Sequence, residues 1–224
     1  MQVLLAGKRG CDEMDKEDMI RLLERRGISR RVLEAIKKVP RHLFVPPDVR
    51  KFAYEDRPLP IGEGQTISAP HMVAMMCEYL DLQKGHKVLE IGGGCGYHAA
   101  VMAELVGKEG KVITIERIES LADRAKQNLK LTGYDDVVEV VVGDGTLGYP
   151  PEAPYDRISV ACAAPSIPTP LKEQLKIKGK MVIPLGSYSQ TLYLVKKKGE
   201  DEFDMEKLCE VVFVPLIGKY GFHM

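Results

Sequence analysis

The sequence predicts an α/β protein with a doubly wound, mostly parallel sheet of about seven strands and a helical extension before it. From residue 85 onward, short apolar runs alternate with segments whose apolar residues recur at helical spacing. In addition, the first apolar run, 87–91, ends in a glycine-rich turn at 92–96 that opens a helical pattern. Open α/β sheets build ligand sites in this way, at the carboxyl ends of their strands.

The first 57 residues form the predicted helical extension. Residues 12–26 carry apolar residues on one face and end at Gly27, which is typical of a short surface helix. Ser29 is placed to cap a second helix, and Pro40 closes it.

Residues 58–82 are predicted to be a loop and a helix that serve substrate and cofactor. The stretches 41–47 and 54–70 are rich in proline and glycine, so we expect long loops there. Ser68 precedes a helical pattern in which Pro70 occupies the first turn, where proline is tolerated.

The remaining residues, 83–224, are predicted to form the core of the same single domain. Strands are expected at 87–91, 111–116, 137–142, 157–162, 180–184, 191–196 and 209–214. Helices are expected at 97–106, 118–131 and about 169–175. The last two strands have no helix between them, which predicts an antiparallel edge.

The composition weighs against several functional classes. Lys+Arg and Asp+Glu both number 32, so a formal net charge of zero gives no electrostatic case for a nucleic-acid or membrane partner. The five cysteines stand singly, without the spacing of a metal site, and fit a reducing setting. The first apolar run is too short for a signal-peptide core. We therefore expect a cytoplasmic protein without a metal.

Three carboxylates fall at the predicted carboxyl edge of the sheet. Glu90 lies near the end of the first strand, Glu116 ends the second, and Asp144 follows the third. A carboxylate after the second strand suits a ribose, because it accepts from both hydroxyls, and one after the third can accept from an adenine amino group. The pattern therefore predicts a nucleoside-containing cofactor.

Two cofactor classes compete for this site. Residues 94–99 fit G-x-G-x-x-A and Glu116 follows at the spacing of an NAD fingerprint. However, Glu90 stands just before the turn, where it would repel a pyrophosphate. Three carboxylates suit the ammonium and sulfonium charges of S-adenosylmethionine better. The pattern favours a methyltransferase over an NAD-dependent oxidoreductase, and a cofactor-binding module without turnover is a third hypothesis.

The methyl acceptor is less clearly marked. Residues 161–165 read ACAAP, with no polar group to hold an amide, and no His–Asp or Cys–His pair stands at a spacing that indicates a general base. A carboxylate with a pKa of ~4 is already ionised at pH 7 and needs no base. The sequence weakly favours a carboxylate acceptor.

The chain resembles the protein-L-isoaspartate (D-aspartate) O-methyltransferase family from about residue 41 to 221. The motifs, in order, are RHLFVP, EDRPLPIGEGQTISAPHMVA, VLEIGGGCGYHAAV, TIERI, GDG, APYD, IPTPLKEQLK and FVPLIGKYG. The resemblance implies a Rossmann-like S-adenosylmethionine-dependent enzyme, with S-adenosylhomocysteine as product. It also implies that the acceptor is the free carboxylate of L-isoaspartyl residues in damaged proteins and peptides, and that methylation initiates repair through a succinimide.

The resemblance also implies roles for individual residues. Ser68 is the implied catalytic residue, although a serine before a proline-bearing first turn is often only a cap. His71 and Arg57 are predicted, from their positions and charge, to bind substrate together with Ser68; for His71, a structural role in the first turn of the helix is an equal alternative. The resemblance also implies a set of cofactor-binding residues by position, to which we add Glu90 because it stands just before the turn. The set is Thr66, Ile67, Ser68, Glu90, Gly92, Gly94, Gly96, Glu116, Asp144 and Gly145. We expect a monomer.

The glycine turn departs from this family at two positions. The family usually reads G-T-G-S-G, whereas residues 92–96 read G-G-G-C-G. Two hydroxyls are lost, so we expect looser cofactor binding at worst. The favoured interpretation of Cys95 is a small residue that merely fits; the alternative is an exposed cysteine at a helix N-terminus, whose lowered pKa would allow it to oxidise.

Overall fold

The computed structural model of the chain describes residues 14–223. The helices are α1 (Lys16–Arg25), α2 (Arg30–Lys38), α3 (Pro70–Leu80), α4 (Tyr97–Val106), α5 (Glu119–Thr132) and α6 (Thr169–Gln174). The strands are β1 (Leu59–Gly62), β2 (Gln65–Ile67), β3 (Lys87–Ile91), β4 (Lys111–Glu116), β5 (Val138–Val142), β6 (Tyr155–Val160), β7 (Leu175–Leu185), β8 (Gln190–Lys197) and β9 (Phe203–Val211).

A seven-stranded sheet of order β5-β4-β3-β6-β7-β8-β9 forms the centre, and β1 and β2 form a separate hairpin. Strands β3 to β7 are parallel, while β8 and β9 add an antiparallel edge. The chain runs outward from β3 to β5 and then returns to β6 on the other side of β3. A ligand crevice is expected where the strand order reverses in this way.

Side chains of the central strands alternate between two apolar clusters. Val88 and Val112 face the cluster that contains residues of α1 to α5, while Leu89 and Ile113 face the cluster that contains α6. A strand covered on both faces must be apolar nearly throughout. For this reason the sequence pattern located β3 and β4 at their observed bounds.

The last predicted strand, 209–214, is wrong in extent. The strand β9 lies at the sheet edge and carries exposed charged residues, as edge strands that resist pairing do. The apolar run after Val211 leaves the ladder, and the Phe213 N–H donates to Gln190 Oε1 at 2.6 Å. The run looked like a buried strand because it is apolar, but Val212 is 94% exposed.

The predicted loop 54–70 contains the β1–β2 hairpin. Glu63 and Gly64 connect the strands with φ of 53° and 67°. A two-residue turn of type I′ requires a positive φ at both central positions, which favours glycine. The hairpin places 65–68 between the sheet edge and α3.

The helical extension is confirmed where it is described. Asp15 and Asp18 form a capping box at the start of α1, and the predicted residues 12 and 13 lie outside the described residues. No helix within residues 14–223 is long and apolar enough to cross a membrane.

Candidate active site

A narrow crevice of about 60 Å³ opens at the carboxyl edge of the sheet. It lies between the ends of β3, β4 and β6 and is covered by residues that follow β9. Its walls include Gly92, Gly94, Ile115, Glu116, Gly145 and Leu216. The sequence predicted four of these six as ligand-binding residues.

Glu116 is held in place by two backbone donors. Its Oε2 accepts from the Gly94 N–H and its Oε1 accepts from the Ile118 N–H, both at 2.9 Å. The residue is 6% exposed. Because each carboxylate oxygen has a second lone pair, both oxygens retain capacity for a ligand hydroxyl.

The glycines of the turn are required by backbone conformation. Gly92, Gly94 and Gly96 have φ of 87°, 52° and 86°, a region that side chains disfavour. Cys95 between them is buried, and burial raises the pKa of its thiol to about 11. The structure agrees with the favoured interpretation of Cys95 as a small residue that fits and not with the exposed, acidic alternative, because the thiol packs inward while Asn128 Nδ2 donates to its carbonyl at 3.0 Å.

Glu90 lies beneath the glycine turn rather than in the crevice wall. Its side chain is fully buried, its Oε2 accepts from Thr114 Oγ1 at 2.6 Å, and its Oε1 lies 3.2 Å from His98 Nδ1. Burial lowers the pKa of His98, but Cys77 and Glu90 outweigh it and raise that pKa to about 10. The structure therefore pairs Glu90 with neighbouring side chains and does not bring it to the crevice.

The Asp144 carboxylate is also largely engaged within the chain. It accepts from the Thr146 N–H at 2.9 Å, from Thr146 Oγ1 at 2.7 Å and from the Lys219 N–H at 2.8 Å. Burial raises the pKa of Asp144, but the hydrogen bonds from Lys219 and Thr146 outweigh it and lower that pKa. The next residue, Gly145, lines the crevice, where a Cβ would lie 2.4 Å from Ile91 Cγ2.

A second, larger cleft of about 820 Å³ adjoins the crevice. The two share the residues Thr66, Ala161 and Val214. The larger cleft is also lined by the three predicted substrate-binding residues, which are Arg57, Ser68 and His71. The structure therefore brings the predicted cofactor and substrate sites side by side.

Ser68 lies half-buried on the wall of the larger cleft. The N-cap of α3 is Ala69, and no side chain of the cap position bonds to the helix, so the capping interpretation of Ser68 is wrong. Its neighbour Ile67 is 4% exposed and packs in the apolar core, away from both clefts. The Ser68 carbonyl accepts from Arg41 Nη2 at 2.8 Å, a contact that the sequence did not indicate.

His71 is oriented by Asp56. The Asp56 Oδ1 accepts from the His71 backbone N–H and lies 2.9 Å from His71 Nδ1. The Asp56 Oδ2 accepts from Arg26 Nη2 at 2.9 Å. The carboxylate side chain is only 8% exposed, so the helical extension, through Arg26, supports a residue of the larger cleft.

Arg57 is already partly neutralised. Its Nε donates to Glu55 Oε2 at 2.5 Å, and its guanidinium lies 4.9 Å from the centre of the Phe52 ring. The side chain is 49% exposed. Its attraction for an acidic peptide is therefore weaker than that of an unpaired cation.

Comparison with known proteins decides the family. The model of the family described as protein-L-isoaspartate(D-aspartate) O-methyltransferase (PCMT) matches residues 14–221. The chain belongs to this family. A protein-L-isoaspartate O-methyltransferase of Methanothrix thermoacetophila is 62% identical over 93% of this chain and 98% of that relative. Protein-L-isoaspartate O-methyltransferase 1 of Archaeoglobus fulgidus is 59% identical over 93% of this chain and 98% of its own length.

Solved structures agree with the family assignment. A protein-L-isoaspartate O-methyltransferase superimposes with a TM-score of 0.86 and 33% identity, over 92% of this chain and 67% of that chain. A β-aspartate methyltransferase (PCMT) from Plasmodium falciparum, in complex with S-adenosyl-L-homocysteine, superimposes with a TM-score of 0.82 and 28% identity, over 92% of this chain and 99% of that chain. The resemblance, the fold class and the S-adenosylmethionine-dependent methyltransferase activity inferred from the sequence are confirmed. The NAD interpretation is set aside.

The chemical character of the crevice residues, rather than the crevice volume of about 60 Å³, suits S-adenosylmethionine. Glu116 offers acceptors for the ribose hydroxyls, and Gly92, Gly94 and Gly145 line the crevice with backbone that carries no side chain. Ile115 adds apolar surface for the adenine ring. When bound there, the cofactor supplies an electrophilic methyl group on a sulfonium sulfur.

Glu116→Gln tests the ribose site. The amide turns one acceptor into a donor that faces a backbone N–H, and it also removes the charge that strengthens a hydrogen bond to a ligand hydroxyl. Hydrogen bonds to charged groups contribute about 1.5–3 kcal/mol, so the Kd for S-adenosylhomocysteine in calorimetry should rise about tenfold or more. Glu119→Gln, an exposed carboxylate three residues on, should leave the Kd unchanged; equal Kd values for both variants would move the ribose site elsewhere.

Asp56→Asn tests the support of His71. The variant weakens the ion pair with Arg26 and allows the amide to present a donor to the His71 N–H, so α3 loses part of its anchor. We expect the KM for an isoaspartyl peptide to rise several-fold, with a loss of about 1–3 kcal/mol in unfolding free energy. Arg26→Gln removes only the outer partner and should change KM less. Equal effects on KM would contradict an orienting role of Asp56 through His71.

Proposed function

We propose that this chain transfers the methyl group of S-adenosylmethionine to the free α-carboxylate of L-isoaspartyl residues in damaged proteins and peptides, with Ser68 at the reacting group. The observation that carries the site assignment is the junction of the two clefts at Thr66, Ala161 and Val214. A carboxylate held beside Ser68 in the larger cleft is then adjacent to the end of the cofactor crevice. In-line methyl transfer needs such an alignment above all.

In this proposal the chain contributes position rather than proton transfer. The acceptor carboxylate is ionised at neutral pH, since its pKa is ~4 or below, so it already carries a lone pair. Ser68 donates a hydrogen bond to the carboxylate or shapes its pocket, and Thr66, which lines both clefts, packs beside the cofactor. His71 and Arg57 contact the surrounding acidic peptide. The amide nitrogen of the isoaspartyl linkage then attacks the ester carbonyl, methanol leaves with the proton of that nitrogen, and the succinimide closes without further help from the chain.

The cofactor side is assigned in the same way. We propose that Glu116 binds the ribose and that the backbone of Gly145 meets the adenine, with one Oδ2 lone pair of Asp144 beside it. Gly92, Gly94 and Gly96 shape the backbone that approaches the cofactor. Glu90 supports this backbone from below, and Ile67 supports the segment that carries Thr66 and Ser68.

We propose that the chain works as a cytoplasmic monomer on damaged proteins, without nucleic-acid or membrane partners. The zero formal net charge supports the absence of nucleic acid, and the four described cysteines are free thiols, as in a reducing compartment. One methyltransferase domain is proposed, with a helical extension at 1–57, a substrate and cofactor segment at 58–82 and the core at 83–224.

Paired peptides that differ only in one aspartyl linkage test the substrate. With methyl-labelled S-adenosylmethionine, base-labile label should accumulate on the isoaspartyl peptide and not on the aspartyl peptide. In the isoaspartyl peptide the chain continues through the side-chain carboxyl group, which leaves the α-carboxylate free to accept the methyl group. Label on neither peptide, or equally on both, would refute the proposed substrate. Binding of S-adenosylhomocysteine without any transfer would favour a binding module.

Ser68→Ala tests the role of the hydroxyl. Loss of a hydrogen bond to a charged group corresponds to about 1.5–3 kcal/mol, so kcat/KM for the isoaspartyl peptide should fall about tenfold or more. Affinity for S-adenosylhomocysteine should change little. Ser120→Ala is the matched control, since its hydroxyl bonds to Glu63 at an exposed site. Unaltered kcat and KM in Ser68→Ala would remove this role.

A further inference from the structure

Arg41 is a buried cation at the junction of three parts of the site. The residue is 0% exposed, and among residues 14–223 no carboxylate forms an ion pair with it. An unpaired buried charge is strongly disfavoured unless its donors find partners. Two of its nitrogens do: Nε donates to the Ala53 carbonyl at 2.7 Å, and Nη2 donates to the Ser68 carbonyl at 2.8 Å.

The third contact reaches the cofactor side. The Arg41 guanidinium carbon lies 4.8 Å from the centre of the Tyr97 ring, within the range of a cation–π interaction. Tyr97 is the first residue of α4 and directly follows Gly96 of the glycine turn. Phe44 packs edge-on against the same ring, with centroids 5.6 Å apart. The Arg41 side chain therefore contacts the Ala53 carbonyl, which precedes Asp56 and Arg57, the Ser68 carbonyl and the first residue of the helix that follows the glycine turn.

We propose that Arg41 is a positioning residue that sets Ser68 relative to the cofactor turn; this inference rests on the proposed function. The hydrogen bond to the Ser68 carbonyl fixes the peptide plane between Ser68 and Ala69, and with it the direction of the Ser68 side chain. The planar guanidinium donates in two directions from one rigid group, which an ammonium on a flexible stem does not reproduce. A buried charge is retained here because alignment of acceptor and cofactor depends on it.

Arg41→Lys keeps the positive charge and most of the aliphatic side chain but removes the planar guanidinium that donates in two directions. At a temperature well below the melting transition, kcat for an isoaspartyl peptide should fall about 10- to 100-fold, the range expected of a misplacement near 1 Å. The Kd for S-adenosylhomocysteine should change much less, because the crevice residues are untouched. In hydrogen exchange, the segment 66–71 should lose protection while β3 and β4 keep theirs.

Arg157→Lys is the matched control. Arg157 is also buried and donates to three backbone carbonyls, those of Leu80, Asp81 and Asp156, but it lies at the opposite end of α3 from the clefts. We expect Arg157→Lys to lower the melting temperature while kcat and KM stay at wild-type values. If Arg41→Lys likewise lowered only the melting temperature, or if both variants lost kcat equally, Arg41 would have a structural role alone and the proposal would be overturned.

The wild-type chain provides a test that does not need a stable Arg41 variant. In mild denaturant, the segments 53–57 and 66–71 should lose hydrogen-exchange protection together in both the wild-type chain and Asp56→Asn, because the Arg41 guanidinium joins them in addition to the Asp56–His71 hydrogen bond. Independent loss of protection would overturn the proposal. Hydrogen exchange does not depend on turnover. If the wild-type chain methylated no isoaspartyl peptide, the proposed function would be refuted, but hydrogen exchange would still test the Arg41 contacts.

Discussion

The Glu116 carboxylate is the interaction on which the cofactor half of the molecule depends. It accepts from the Gly94 N–H in the turn after β3 and from the Ile118 N–H before α5. Both N–H groups lie in connections that lack a strand or helix partner, so the carboxylate satisfies donors that would otherwise be left unpaired. It also lines the crevice. The carboxylate proposed to recognise the ribose therefore sets the shape of the glycine turn as well. A substitution of Glu116 changes ribose binding and the conformation of the turn together.

The acceptor half is built by residues that precede the sheet. Arg26 at the end of α1 pairs with Asp56, which bonds the second residue of α3, and Arg41 donates to the Ser68 carbonyl. The sheet supplies one wall of the cleft, while the helical extension and its loops hold the proposed catalytic segment against it. The two halves meet at Thr66, which lines both clefts. This division explains why a Rossmann-like core alone would specify a cofactor but not an acceptor.

Local sequence patterns predicted those strands and turns whose conformation depends on neighbouring residues alone. Apolar strands covered on both faces, and glycines that need a positive φ, leave signals that identified β3, β4 and the turn. Glu90 and Asp144 were placed correctly along the chain, but their partners were not foreseeable. Glu90 alternates with Leu89 and so points beneath α4, where His98 and Thr114 surround it. Asp144 bonds to a backbone N–H 75 residues away. Such long-range pairings arise from tertiary packing and leave no periodic trace.

The two departures from the family's glycine turn are compatible with a closed, ordered loop. A Cβ at Gly93 would lie 2.4 Å from Thr114 Oγ1, so the strand already supplies a hydroxyl at the place that a side chain on the turn would enter. That hydroxyl donates to the buried Glu90 carboxylate. Cys95 packs inward, and its raised pKa keeps the thiol neutral at pH 7. The loss of two turn hydroxyls therefore leaves the support of the turn intact and removes the main reason to regard the chain as a scaffold without turnover.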